Sequence, residues 1–386
     1  MSYNFDEVPD RRGSGSYKWD TAAGPEVIPM WVADMDFRTA PAIIEALKSR
    51  VEHGVFGYTK VPAEYYRACD RWFTRRHGWS FDADRVIYTS GVVPAVSAII
   101  KAMTRPGDKV ILQTPAYNCF YSSIRNNGCE LSANMLLRDA DGRYSIDFDD
   151  LARRAADPAA RLLVLCNPHN PSGRVWRRDE LERVARICLE NDVFVISDEI
   201  HCELTFDGHD YTPYGTLGDD FQRRAAICVS PSKAFNIAGL QIANIIAADE
   251  GVRAKIDRAI NDNEVCDVNP FGVAATMAAY DKGEEWLDGL RTYLWDNYCF
   301  ARRFFAENMP QCRVTPLEGT YLLWVEVSAC GMATSELCRC LEEVHKVKVS
   351  PGPDYGPGGE GFIRINLACP RARLEEGLSR IAKALR

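Results

Sequence analysis

Lys233 follows the short apolar run Ala226–Val229 and sits in Ser230-Pro-Ser-Lys-Ala-Phe-Asn-Ile-Ala-Gly239. An amine leaving a buried strand is poorly hydrated, so its charged form is disfavoured and it becomes a usable nucleophile. The hydroxyls of Ser230 and Ser232 can hydrogen-bond an anion such as a phosphate. A phosphorylated aldehyde held covalently needs this combination. Taken alone, the stretch also fits a surface lysine after a strand, so the other strand ends decide.

Four further apolar runs end in residues of the same kind. Thr89-Ser-Gly91-Val92-Val93-Pro94 leaves a strand and opens a helix, where main-chain N–H groups and the helix dipole favour an anion. Tyr117, in Thr114-Pro-Ala-Tyr117, can lie flat on a ring ligand. The loop Cys166-Asn-Pro-His-Asn170-Pro-Ser-Gly173 holds two Asn-Pro pairs and a glycine, a rigid turn that presents amide donors. Ser197-Asp198-Glu-Ile-His201 puts a carboxylate at a strand end, which is costly unless it meets a cation. A protonated ring nitrogen meets that need, and so does a structural ion pair. His201 reads as a core histidine or as a residue behind the site.

These residues need a scaffold that gathers strand ends. Val86–Thr89, Val110–Leu112, Leu162–Cys166, Val193–Ile196, Ile227–Val229 and Ile242–Ala247 read as buried strands of a mostly parallel sheet. Helical patterns at Ala95–Met103, Asp179–Glu190 and Val252–Ile260 alternate with them, giving an α/β class with ligands beyond the carboxyl ends. Pro41 inside the first turn and Gly54 past the end frame an early helix. The C-terminal third brings a long helix, Glu284–Asn308, a strand over Tyr321–Val327, and a helix over Ser335–His345. A Gly/Pro-rich loop over residues 351–361, the strand Phe362–Leu367 and a last helix follow. This reads as a smaller α+β lobe built from both termini.

In chain order, Gly91, Tyr117, Asn170, Asp198 and Lys233 resemble the fold-type-I pyridoxal-phosphate enzymes of the class I/II aminotransferase superfamily. Pro29-Met-Trp-Val-Ala-Asp-Met-Asp-Phe37, Asp198-Glu-Ile-His201 and the Lys233 stretch are similar to the MalY/PatB-type cystathionine β-lyases, or C–S lyases. The resemblance implies a large cofactor-binding domain over residues 48–285 and a small domain from residues 1–47 and 286–386. It implies that Lys233 carries pyridoxal 5'-phosphate covalently and serves as the catalytic base. Asp198 would pair with the ring nitrogen, and Asn170 would bond the phenolic oxygen with His201 nearby. Tyr117 would stack on the ring, while Ser230, Ser232 and the amides of Gly91, Val92 and Val93 hold the phosphate. Tyr58, in Gly57-Tyr58-Thr59, would reach that phosphate from a second subunit of a homodimer. Arg364 would clamp the substrate α-carboxylate, and the backbone at Ala33 would face the substrate. Gln241 stands where most of the superfamily has a phosphate-binding arginine.

The activity this implies is β-elimination from cystathionine or a related cysteine S-conjugate, yielding a thiol, pyruvate and ammonia. Amino-group transfer with broad or aromatic specificity uses nearly the same residues and is the alternative. A third reading from the same resemblance is a regulator that binds a transcription factor. Composition agrees with an enzyme of small molecules. The 386 residues carry a net charge of −8, which disfavours nucleic acid or an anionic membrane as main partner. No apolar run approaches the ~18 residues of a membrane span, and no signal-peptide pattern opens the chain. The 14 cysteines lack Cys-x-x-Cys spacing and the 6 histidines are scattered, so no metal site is expected. The expected location is the cytoplasm.

Overall fold

The apolar runs assemble into a seven-stranded sheet in the computed structural model, which describes residues 3–262, 264 and 267–385. In chain order its strands are Val86–Thr89 (β1), Lys109–Thr114 (β2), Glu130–Met135 (β3), Ala160–Cys166 (β4), Phe194–Asp198 (β5), Ala225–Val229 (β6) and Ala243–Ile246 (β7). They lie in the order β1-β7-β6-β5-β4-β2-β3. All pairings from β6 across to β3 are parallel, whereas β7 runs antiparallel to both of its neighbours. The strands β5, β6 and β7 are buried at every residue, as sheets covered on both faces require.

Six of these strands are legible as apolar runs, and β3 is not. Its sequence, Glu-Leu-Ser-Ala-Asn-Met, is an edge strand with three exposed residues and two buried polar ones, Ser132 and Asn134. The buried Asn134 Nδ2 donates to Asp147 O at 3.1 Å and to Asp150 Oδ2 at 2.8 Å. Edge placement removes the demand for continuous apolarity, so periodicity gives no warning.

A second, antiparallel sheet forms in the C-terminal third. Leu322–Glu326 (β9) and Phe362–Asn366 (β11) pair at its centre, with Arg313–Val314 (β8) and Ser350–Pro351 (β10) outside them. The helix Glu284–Asn308 (25 residues) has the bounds its sequence suggests. The helix Pro41–His53 begins at its proline and closes on Gly54, whose φ of 72° is the left-handed cap that glycine tolerates best.

Residues 30–37 form an irregular segment with no helix or strand. Its ends are tied to the second lobe by Met30 N to Lys348 O (2.7 Å), Asn366 N to Met30 O (2.9 Å) and Asp36 N to Ala368 O (2.8 Å). Asp36 is fully buried yet meets Arg11 Nη1 at 2.8 Å, Lys18 Nζ at 3.2 Å and Arg373 Nη1 at 3.2 Å. Trp19 Nε1 donates to it at 2.8 Å. Burial by itself would lift the Asp36 carboxyl. The charges of Lys18, Arg373 and Arg11 and the Trp19 bond outweigh that and hold it below the usual aspartate range.

This depressed value predicts how stability depends on pH. A carboxylate with a lowered folded pKa stabilises above its unfolded pKa of about 3.9, and the contribution fades as pH falls through the folded value. Asp36→Ala strands buried cations and should cost about 3–5 kcal/mol at neutral pH. Urea unfolding of wild type and variant should show that gap, and the gap should shrink well below pH 4. Equal midpoints at neutral pH would contradict the account.

Candidate active site

Five parallel-sheet strand ends open onto one cavity of about 190 Å³. Its wall includes Gly91, Val92 and Val93 after β1, Tyr117 after β2, and Asn170 after β4. Asp198 and His201 come from the end of β5, Ser232 and Lys233 from beyond β6, and Ala33 from the 30–37 segment. Parallel strands put their carboxyl ends on one edge, so residues as distant in sequence as Gly91 and Lys233 line one cavity.

Lys233 Nζ donates to Ala33 O at 2.7 Å. Burial lowers its pKa to about 8, helped by the Arg364 charge, while Asp34 and Asp198 pull the other way. Asp198 shows the complementary effect. Burial raises its carboxyl to about 7, against the opposing pull of an Ile200 N–H bond (3.1 Å) and the Lys233 charge. No salt bridge to Asp198 occurs among the described residues. A buried carboxylate with one hydrogen bond and no close cation fits a positively charged ligand atom in the cavity. That requirement is what a protonated pyridine nitrogen satisfies.

His201 is buried, and its Nδ1 has no hydrogen-bond partner. Burial, then the charges of Lys233 and Arg364, push it well below the ordinary histidine range, so it is neutral. It faces the Tyr321 ring edge-on at 6.1 Å. Burial likewise raises the Tyr117 hydroxyl, which stays protonated.

The phosphate end differs from expectation in one residue. Ser232 lines the cavity, but Ser230 does not. The Ser230 hydroxyl is committed to Ile242 O at 2.6 Å and accepts from Ser232 N at 3.1 Å, so it shapes the turn. Ser90 and Gln241, which the sequence reading gave no phosphate role, line the cavity instead. The Gly91 turn opens the 12-residue helix Val92–Met103, whose first-turn N–H groups suit an anion.

Arg364 is buried and lies just behind the cavity wall. It donates to Asn170 Oδ1 at 3.1 Å and to Trp31 O at 2.7 Å, and its guanidinium covers the Tyr355 ring at 5.0 Å. Those contacts hold a bidentate donor in place while its Nε stays unpartnered. Tyr58 stands apart. It is 99% exposed.

Two residues near the lysine escaped the reading of the sequence. Tyr321 donates to Ala33 O at 3.0 Å, alongside Lys233. It comes from just before β9, with no local motif to flag it. Asn236, three residues past Lys233, bonds the backbone of residues 35 and 37. Its left-handed φ of 55° is the unusual feature, and sequence does not display it.

A mostly parallel sheet that collects a lysine, a buried aspartate and a helix N-terminus at its carboxyl edge is the fold-type-I architecture of pyridoxal-phosphate-dependent transferases. The Aminotransferase class I and II family model matches residues 25–381, and the chain belongs to that family. It is 44% identical over 386 residues to cystathionine beta-lyase PatB of Bacillus subtilis, covering 99% of this chain and 100% of that one. Protein MalY of Escherichia coli is 35% identical, with coverage of 100% and 99%. The crystal structure of cystalysin from Treponema denticola, which contains a pyridoxal 5'-phosphate cofactor, superposes with a TM-score of 0.96. It is 36% identical and is covered to 99% by all of this chain.

The electrostatics give a test on the cofactor-free protein. Arg364 lowers the Lys233 pKa, so Arg364→Met should raise it. Carbamylation of Lys233, followed by peptide mass spectrometry across pH, should have its midpoint near 8 in wild type and higher in the variant. A midpoint near 10.4, the ordinary lysine value of about that size, in wild type would contradict the burial account.

Proposed function

We propose that the chain is a pyridoxal-phosphate-dependent carbon–sulfur lyase that cleaves cystathionine or a related cysteine S-conjugate to a thiol, pyruvate and ammonia. One observation carries the reading. A desolvated amine, Lys233, and a buried carboxylate without a close cation, Asp198, face the same cavity in a chain similar along its whole length to cystathionine beta-lyase PatB.

Bound pyridoxal phosphate supplies an electron sink for the charge that develops at the substrate Cα. Lys233 would hold it covalently through Nζ. As a free amine, Lys233 would take the substrate Cα proton, for which a pKa of about 8 suits a base working near neutrality. Asp198 would keep the ring nitrogen protonated, and that positive neighbour would in turn favour its ionised form. Asn170, whose Oδ1 is taken by Arg364, would donate through Nδ2 to the ring oxygen. His201, neutral and unpartnered at Nδ1, lines the same cavity. Ser232, Ser90 and the N–H groups of the Gly91–Val93 turn would receive the phosphate. Tyr117 would stack on the ring, and Arg364 would grip the substrate α-carboxylate.

The assembly is a homodimer in this reading. Tyr58, fully exposed beside Val55 and Phe56 (63% and 57% exposed), completes the phosphate site of a second copy. Such an apolar rim is unfavourable in water and suits a covered interface. The site-bearing residues 48–285 form the large domain, and both termini form the small one. Among the described residues no helix is long and apolar enough to cross a membrane, which accords with the cytoplasm as the site of action.

Incubation of the purified holoenzyme with cystathionine and no keto acid tests the reading. Pyruvate and a free thiol should appear together in equal amounts. No pyruvate, with amino transfer only when a keto acid is added, would replace the lyase by the aminotransferase reading. Lys233→Ala should remove both activity and the visible absorbance of the bound cofactor. Arg364→Ala should act mainly on KM, losing a charge-assisted contact of about 1.5–3 kcal/mol.

A further inference from the structure

The carbonyl that receives the Lys233 amine belongs to a segment with no strand partner along residues 32–35. Side-chain amides hold it instead. On one edge, Asn366 Nδ2 donates to Val32 O and Asp34 O at 2.5 and 2.6 Å. On the other, Asn236 Nδ2 donates to Met35 O (3.0 Å) and Phe37 O (2.8 Å), while its Oδ1 accepts from Met35 N (2.9 Å). Asn236 lies on the same turn as Lys233, three residues on. Three bonds from one side chain therefore tie the lysine's own turn to the segment that carries Ala33 O. A second tie, Thr39 Oγ1 to Phe235 O at 2.6 Å, joins the same two pieces.

We propose that Asn236 is a positioning residue for the reaction: it fixes the distance between the turn of Lys233 and Ala33 O, and so sets where the free amine rests between bond-breaking steps. The proposal rests on the reading of Lys233 as the base. An amine that gives one N–H to Ala33 O (2.7 Å) keeps its lone pair free to turn toward the cavity. Tyr321 OH donates to the same carbonyl at 3.0 Å. The backbone of Asn236 supports this role. Its φ of 55° is left-handed, a conformation that asparagine tolerates better than most side chains and that is worth keeping where a fixed geometry is used. In that conformation the amide reaches both carbonyls.

Two variants separate positioning from mere folding. Asn236→Asp keeps the shape and the acceptor for Met35 N but sets an oxygen against two carbonyls. Asn236→Gly keeps the φ and deletes the amide. Both are assayed as holoenzymes with cystathionine and with its Cα-deuterated form, and rates are expressed per bound cofactor measured by absorbance. Expected is a fall in kcat of about ten- to a hundredfold, the size that displacing a reacting group by the order of an ångström brings. KM should stay within about twofold, because Arg364 and the cofactor contacts are untouched. The isotope effect on kcat should be no smaller than in wild type, since the slowed step is the proton transfer. Unchanged kcat per cofactor would overturn the proposal. So would a fall in activity matched by lost cofactor, with the isotope effect diminished, because that is what a purely structural residue gives. A wild-type enzyme that releases no pyruvate would overturn the lyase reading itself, a separate failure.

Discussion

Burial of two opposite charges without direct pairing is the constraint around which the structure is arranged. Asp198 ends β5, Lys233 follows the neighbouring parallel strand β6, and the two face one cavity. Desolvation moves the amine down to about 8 and the carboxyl up to about 7. Each is therefore left near the point where its proton is easily exchanged. Direct contact would have restored both charges and quenched that poise. The amine is given a neutral carbonyl, Ala33 O, and the carboxylate a single N–H. The fold supplies a cradle suited to a cationic, phosphorylated ring that bonds to an amine.

The rest of the molecule serves to keep that arrangement from relaxing. The parallel sheet fixes the strand ends, and the second lobe fixes Arg364 and the 30–37 segment. The cations around Asp36 bind the N-terminal stretch, the segment and the last helix into one buried cluster. Such a cluster is costly to assemble, since each ion is desolvated. Its worth lies in fixing geometry, because a segment with no continuous strand ladder otherwise has little to hold it. The position of Ala33 O depends on that support as much as on its own sequence.

Much of this was legible in the amino-acid sequence because fold-type-I sites put each working residue directly after a buried strand. Apolar runs mark the strands, and polar residues at their ends stand out. Gly91, Tyr117, Asn170, Asp198 and Lys233 stand out in this way in the sequence. The failures have physical causes. The edge strand Glu130–Met135 is too polar to announce itself. Ser230 has the right type and place, yet its hydroxyl turns to Ile242 O, a choice set by tertiary contacts. Tyr321 and Asn236 act through backbone carbonyls about 200 to 290 residues away in sequence, which no local pattern encodes.

The account stands on one bond, that between the cofactor and Lys233. Borohydride reduction of the holoenzyme, proteolysis and peptide mass spectrometry locate that bond directly. The account predicts a pyridoxyl phosphate group on the peptide containing Lys233 and on no other lysine. A labelled peptide lacking Lys233, or a coloured holoenzyme that yields no labelled peptide, would contradict it.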